Sequence, residues 1–129
     1  MLNKGVVIRK ISIDNGRRVQ VNKKGLRKQM INLRKKIKKN DPSSYIEQSV
    51  EKDHKGYHVH LLVHYKDEKN LFNQLLRYIG GDSWKKKKEG LNTITHCDGK
   101  YGEVDVHYVW GEQGFRGYIN KENPSETIW

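Results

Sequence analysis

Two hydrophobic rhythms divide this chain. Short runs of β-branched and aliphatic residues read as strands, and apolar residues three or four apart read as helix stripes. Residues 5–13, Gly-Val-Val-Ile-Arg-Lys-Ile-Ser-Ile, form the first strand run. Asn15-Gly16 separates it from Arg17-Arg18-Val19-Gln20-Val21, the strongest short hairpin signal. Over 24–39, Leu26, Met30, Leu33 and Ile37 fall at i, i+4, i+7 and i+11, one apolar stripe with Lys and Arg covering the rest. Asn40-Asp41-Pro42 breaks that helix. Residues 44–51, Ser-Tyr-Ile-Glu-Gln-Ser-Val-Glu, read as the next strand, and a tight turn over 52–56 returns the chain into Tyr57-His58-Val59-His60-Leu61-Leu62-Val63-His64-Tyr65.

Asp67 then reads as an N-cap, ahead of a second stripe made by Leu71, Phe72, Leu75, Leu76 and Ile79 and stopped by Gly80-Gly81. Residues 82–90 read as a lysine-rich loop containing Trp84, and 91–97 with 103–110 as a hairpin turning at Asp98-Gly99. The last element, about 112–122, carries Phe115, Tyr118, Ile119 and Lys121 before Asn123-Pro124. Gly114 and Gly117 lower its helix propensity, but a helix would set Tyr118 and Lys121 on one face. The order is β(hairpin)-α-β-β-α-β(hairpin)-α. It predicts an α+β fold of the ferredoxin-like (split βαβ) kind. Two helices would cover one face of an antiparallel sheet, and the C-terminal helix the other.

The strand over 57–65 draws attention because its period is two. His58 and His60 point to one face while Val59, Leu61 and Val63 point to the opposite one, where a core must lie. Hairpin geometry makes Glu51 a near neighbour of His58, and Glu47 shares the Glu51 face. Paired imidazoles beside a carboxylate on a rigid sheet suit a metal ion. His64 continues the face beyond the pair, and His54 falls in the turn.

Composition adds a partner class. The 129 residues make one domain, with a formal net charge of +11 and a pI near 9.7. Positive charge gathers in Arg17-Arg18, in Arg34 to Lys39 and in Lys85 to Lys88, a density that favours a polyanion, nucleic acid above all. No apolar run is long enough to span a membrane, and the N-terminus has no apolar signal segment. The single cysteine, Cys97, excludes an internal disulfide and fits a reducing compartment.

Taken together these residues resemble the HUH endonucleases, and within them the rolling-circle replication initiators. His58-Val59-His60 followed by Leu61-Leu62-Val63 matches the family's histidine-hydrophobic-histidine strand. Glu51 supplies a carboxylate before a Gly-containing turn. Phe115-Arg116-Gly117-Tyr118-Ile119-Asn120-Lys121-Glu122 matches the Tyr-x-x-Lys motif that closes the catalytic domain. Two features depart from the pattern: Glu51 lies closer to His58 than is usual, which keeps Glu47 open as the third ligand, and Val6 to Ile11 copies the first motif poorly.

The resemblance implies a nicking enzyme. His58, His60 and Glu51 or Glu47 would hold Mn²⁺ or Mg²⁺, since two imidazoles and one carboxylate fill half an octahedron and leave places for water and substrate. Tyr118 would attack a phosphate of single-stranded DNA at a replication origin, leaving a 5′-phosphotyrosine and a free 3′-OH. Lys121 would favour the phenolate or bind the phosphate or the departing oxygen. Arg116, Trp84 and Lys85, Lys86, Lys87 and Lys88 are candidates for gripping the strand, with a solvated loop as the other reading of 84–88. The chain lacks a Gly-x-x-x-x-Gly-Lys-Ser/Thr loop, so a host or separate helicase is the expected partner. A homodimer stays open, and the setting would be the cytoplasm of a host cell carrying a virus or plasmid. A single-strand transposase of the same superfamily and a non-catalytic basic DNA- or RNA-binding module are the alternatives.

Overall fold

The computed structural model describes residues 2–89, 92–107 and 126–128. Strand β1 (Leu2–Asp14) and β2 (Arg17–Gln20) form the expected hairpin, with Asn15 and Gly16 both at positive φ in the turn. Helix α1 (Lys23–Asn40) starts at Asn22, whose side chain accepts from Gly25 N at 2.8 Å. Then come β3 (Tyr45–Asp53), β4 (Gly56–Tyr65) and α2 (Glu68–Ile79). Asp67 caps α2 by accepting from Asn70 N, and Gly80 ends it in the left-handed conformation. Strands β5 (Lys85–Glu89), β6 (Asn92–Gly99), β7 (Gly102–His107) and β8 (Glu126–Ile128) complete the described elements.

The strands form an antiparallel sheet in the order β5-β6-β7-β1-β4-β3-β8, with β2 attached to β1. The core lies on one face only. Val6 and Ile8 of β1, Val59, Leu61 and Val63 of β4, and Val104 and Val106 of β7 meet the stripes of the two helices. All four residues of the α1 stripe are buried, as are Leu71, Leu75 and Ile79 of α2, while Phe72 and Leu76 pack against the cluster partly buried. Period two thus sends the alternate residues of every central strand to the second face, away from the helices.

Two expectations are corrected. The lysine-rich segment is no loop: Lys85 to Glu89 pair with β6 as an edge strand. Lysine is a poor strand former, so its run hides the strand from a propensity reading, yet an edge strand can hold its charges in water and resist pairing with other chains. The hairpin turns at Lys100 and Tyr101, two residues beyond Asp98-Gly99. Tertiary bonds fix that register: Tyr101 N donates to Ile79 O at 2.8 Å, and Ile11 N donates to Tyr101 O at 2.7 Å.

Gly102 closes the turn at φ +142, and a Cβ there would stand 2.2 Å from the Arg9 carbonyl oxygen. Both the backbone conformation and the contact demand glycine. Gly102→Ala is therefore expected to cost about 3 kcal/mol, seen as a Tm lower by about 10 °C in a thermal melt. A melt unchanged within 2 °C or so would show that the turn accommodates a side chain.

Candidate metal centre and its surroundings

The second face of the sheet carries the site because antiparallel register aligns the side chains strand by strand. Glu51 of β3 stands opposite His58 of β4, and Ser49 opposite His60. Across the other edge of β4, Val7 of β1 stands opposite His60, and Asp105 of β7 opposite Val7. Glu51, His58 and His60 converge. The two Nε2 atoms lie 3.0 Å apart, and Glu51 Oε2 lies 3.1 Å from His60 Nε2 and 3.4 Å from His58 Nε2. The three side chains are all nearly buried.

These distances can be tested against a cation. Adjacent ligands bonded at about 2.1 Å are about 3.0 Å apart at octahedral angles and about 3.4 Å at tetrahedral ones. The observed triangle falls inside that range on all three sides. Its donors are also of the right kind. Burial, then the positive charge of His58, His107 and Arg9, pushes His60 down to about 4, so the ring is neutral at pH 7 and keeps a lone pair for a metal. The residues fit a divalent cation.

That shift has a consequence for stability. The folded ring refuses a proton that the unfolded chain accepts near pH 6.5, so the metal-free protein gains stability from His60 above that pH and loses it as pH falls toward about 4. In EDTA, Tm is expected to drop by several degrees between pH 7 and pH 5, and His60→Asn should shrink that drop. An identical drop in the variant would assign it to other groups.

The remaining sequence expectations separate. Glu47 does not join the cluster: its Oε2 sits 2.9 Å from His64 Nε2, and the His64 ring stacks on Tyr45 at 4.0 Å between centroids. His64 is buried in that second group, and His54 is exposed. The Trp84 ring is partly buried, meets Phe72 edge-on at 4.9 Å and packs against the helix-side core. Lys85 to Lys88 are exposed, Lys85 and Lys87 sharing the His96 face and Lys86 and Lys88 the opposite one. Tyr118, Lys121 and Arg116 lie outside the described residues.

Two groups were missed by sequence reading. Arg9 follows Ile8, the partner of Val59, and so falls beside His58. It donates twice to Asp53, at 2.8 and 3.2 Å, and Asp53 Oδ2 lies 3.5 Å from His58 Nδ1. The Arg9 hydrogen bonds hold the Asp53 carboxyl far below the usual carboxylate range. Asp53 thus offers a fixed negative charge behind His58, the usual support of a ligating histidine. The alternation of β1 shows that Arg9 faces away from the core, but its reach to a residue 44 positions away is not written in sequence. Farther along the face, His96 Nδ1 meets Asp105 Oδ1 at 2.5 Å, with Asp98 and Glu103 alongside.

No family model, curated protein or solved structure matches this chain. Among the described residues no helix is long and apolar enough to cross a membrane.

Proposed function

We propose that this chain is a metal-dependent endonuclease and strand-transferase of the HUH type. It nicks single-stranded DNA through a 5′-phosphotyrosine to start rolling-circle replication of a virus or plasmid. The observation that carries the reading is the convergence of Glu51, His58 and His60 within 3.0–3.4 Å on one sheet face. The order β7-β1-β4-β3, with α1 and α2 as the crossovers, supports the split βαβ plan, and places for the Tyr118 helix are expected on the cluster's face. Similar ligand sets elsewhere hold zinc or iron, but a net charge of +11 favours phosphate chemistry over oxygen chemistry.

Glu51, His58 and His60 would hold Mn²⁺ or Mg²⁺, which supplies Lewis-acid stabilisation to the scissile phosphate. Asp53 and Arg9 keep His58 in its ligating orientation. The Tyr118 oxygen attacks phosphorus in line, the bond to the 3′ oxygen breaks, and that oxygen leaves as a hydroxyl once it gains a proton. One phosphodiester is exchanged for another, so the reverse reaction reseals a strand. Lys121 favours the phenolate or meets the phosphate or leaving oxygen, and Arg116 and the β5 lysines neutralise backbone charge. Unwinding falls to a helicase from the host or another chain.

Intact-mass measurement tests this. The protein is mixed with Mn²⁺ and single-stranded oligonucleotides from its own genome, with EDTA as control. A mass gain equal to the downstream fragment, lost in EDTA, supports the reading. Tight metal-independent binding without any adduct would favour a non-catalytic module. An adduct formed only at the ends of a mobile element, and at no replication origin, would favour the transposase.

A further inference from the structure

The opposite side of the molecule carries a second assembly of charge and aromatic surface. A groove of about 380 Å³ runs between α1, α2 and the β6–β7 turn, lined by Lys10, Lys36 and Arg77 with Tyr78, Tyr101 and Gln29 among its walls. Three cations meet there without a carboxylate in the lining. Lys10 lies on the helix face of β1, where its ammonium donates to the Tyr78 carbonyl and sits 4.0 Å above the Tyr78 ring and 5.3 Å from the Tyr101 ring. Burial and the charge of Lys36 push Lys10 down to about 8. An anion entering the groove would offset that repulsion.

The frame is rigid. The Tyr78 hydroxyl is bonded to Gln29 of α1, tying the two helices together across the groove. Tyr101 is fixed by its backbone bonds to Ile79 and Ile11, and a Cβ on neighbouring Gly99 would stand 2.2 Å from the Ile79 oxygen, so the turn lies directly on the end of α2. Tyr101 remains 37 % exposed at the rim. Lys36 and Arg77 are exposed and can close on a ligand.

We propose that this groove is a binding site for a single-stranded nucleic-acid segment, with a backbone phosphate among Lys10, Lys36 and Arg77 and a base against Tyr101. The pairing of clustered cations with a partly exposed rim tyrosine, its ring flanked by Lys10 and Lys100, is what single strands require, since phosphates need neutralising and unpaired bases need a stacking surface. The groove lies on the helix side of the sheet, whereas Glu51, His58 and His60 face away from the helices. A strand held here is therefore gripped at a place separate from the metal cluster, and the site stands whether or not the chain cleaves DNA.

Fluorescence anisotropy of a labelled single-stranded oligonucleotide with the full chain in EDTA tests this without interference from cleavage. Lys36→Glu with Arg77→Glu is expected to weaken binding at least tenfold and to reduce the slope of log K against log salt by about 1.5 to 2. Tyr101→Ala should weaken it about fivefold or more with little change in that slope. Lys28→Glu with Lys35→Glu makes the same charge change on another exposed face of α1 and should cost less than threefold. Equal losses from the two charge-reversed pairs would overturn the proposal in favour of diffuse attraction. Unchanged oligonucleotide binding in the groove variants, with loss of binding to a mononucleotide or inorganic phosphate, would overturn the polymer as its ligand.

Discussion

His60→Ala is expected to abolish stoichiometric Mn²⁺ binding, lowering affinity by more than about 100-fold, because loss of a ligand must exceed the 10–100-fold cost of losing an outer partner. The unbound ion's electron-paramagnetic-resonance signal reads this directly, without any DNA. Glu51→Gln keeps the shape of the side chain and removes its charge, so it should also lose well over tenfold. Asp53→Asn, which leaves the three donors in place, should fall in the outer-partner range. Glu47→Gln is the discriminating control. With its carboxylate 2.9 Å from His64, Glu47 has no part in the triangle, and Mn²⁺ affinity should change less than threefold. A larger effect of Glu47 than of Glu51 would assign the third ligand to the other pair and displace the centre along the strand. Competition with Zn²⁺ belongs in the same titration, since two buried imidazoles beside a carboxylate also suit that ion.

Why Glu51 and not Glu47 completes the triangle shows what sequence could supply. Both lie on one strand face, and alternation cannot choose between them. The choice is made by register, with Glu51 directly opposite His58, and by a competing histidine that occupies Glu47. The helices were easy to read because their stripes and caps are local. Leu26, Met30, Leu33 and Ile37 announce α1, and Asp67 with Gly80 brackets α2. The histidine strand was readable for the same reason, since period two is a local signal. Arg9 and Asp53 were not, because their bond joins β1 to β3 across the strand between them. Strand β5 was missed because four lysines contradict local propensity and pairing with β6 overrides it. The Trp84 ring also packs against Phe72 and the helix-side core, a contact between α2 and the segment leading into β5 that local sequence does not display.

Tyr118→Phe is expected to remove covalent capture and strand cleavage altogether, a loss on the order of 10⁴-fold or more, while single-strand affinity changes less than threefold. The substitution deletes one oxygen, the atom that would form the bond to phosphorus, and leaves the ring. The described tyrosines offer little competition for that role. Tyr65 belongs to the helix-side core and is fully buried, and burial with the charge of Glu68 pushes its phenol up to about 12. Burial likewise raises Tyr78, whose hydroxyl is bonded to Gln29. Tyr57 packs toward the helix-side core, and Tyr101 lines the groove there. Among the described tyrosines Tyr45 alone shares the face of Glu51, His58 and His60, and it is stacked on His64. Tyr45→Phe is therefore the control, expected to retain activity within a few-fold. If Tyr45→Phe lost the adduct and Tyr118→Phe kept it, the nucleophile would lie on β3 and the C-terminal motif would carry none of the chemistry. Lys121→Ala refines the outcome. If its ammonium favours the phenolate, activity lost at pH 7 returns as pH rises toward the ordinary phenol value of about 10. If it donates to the leaving oxygen, higher pH restores nothing.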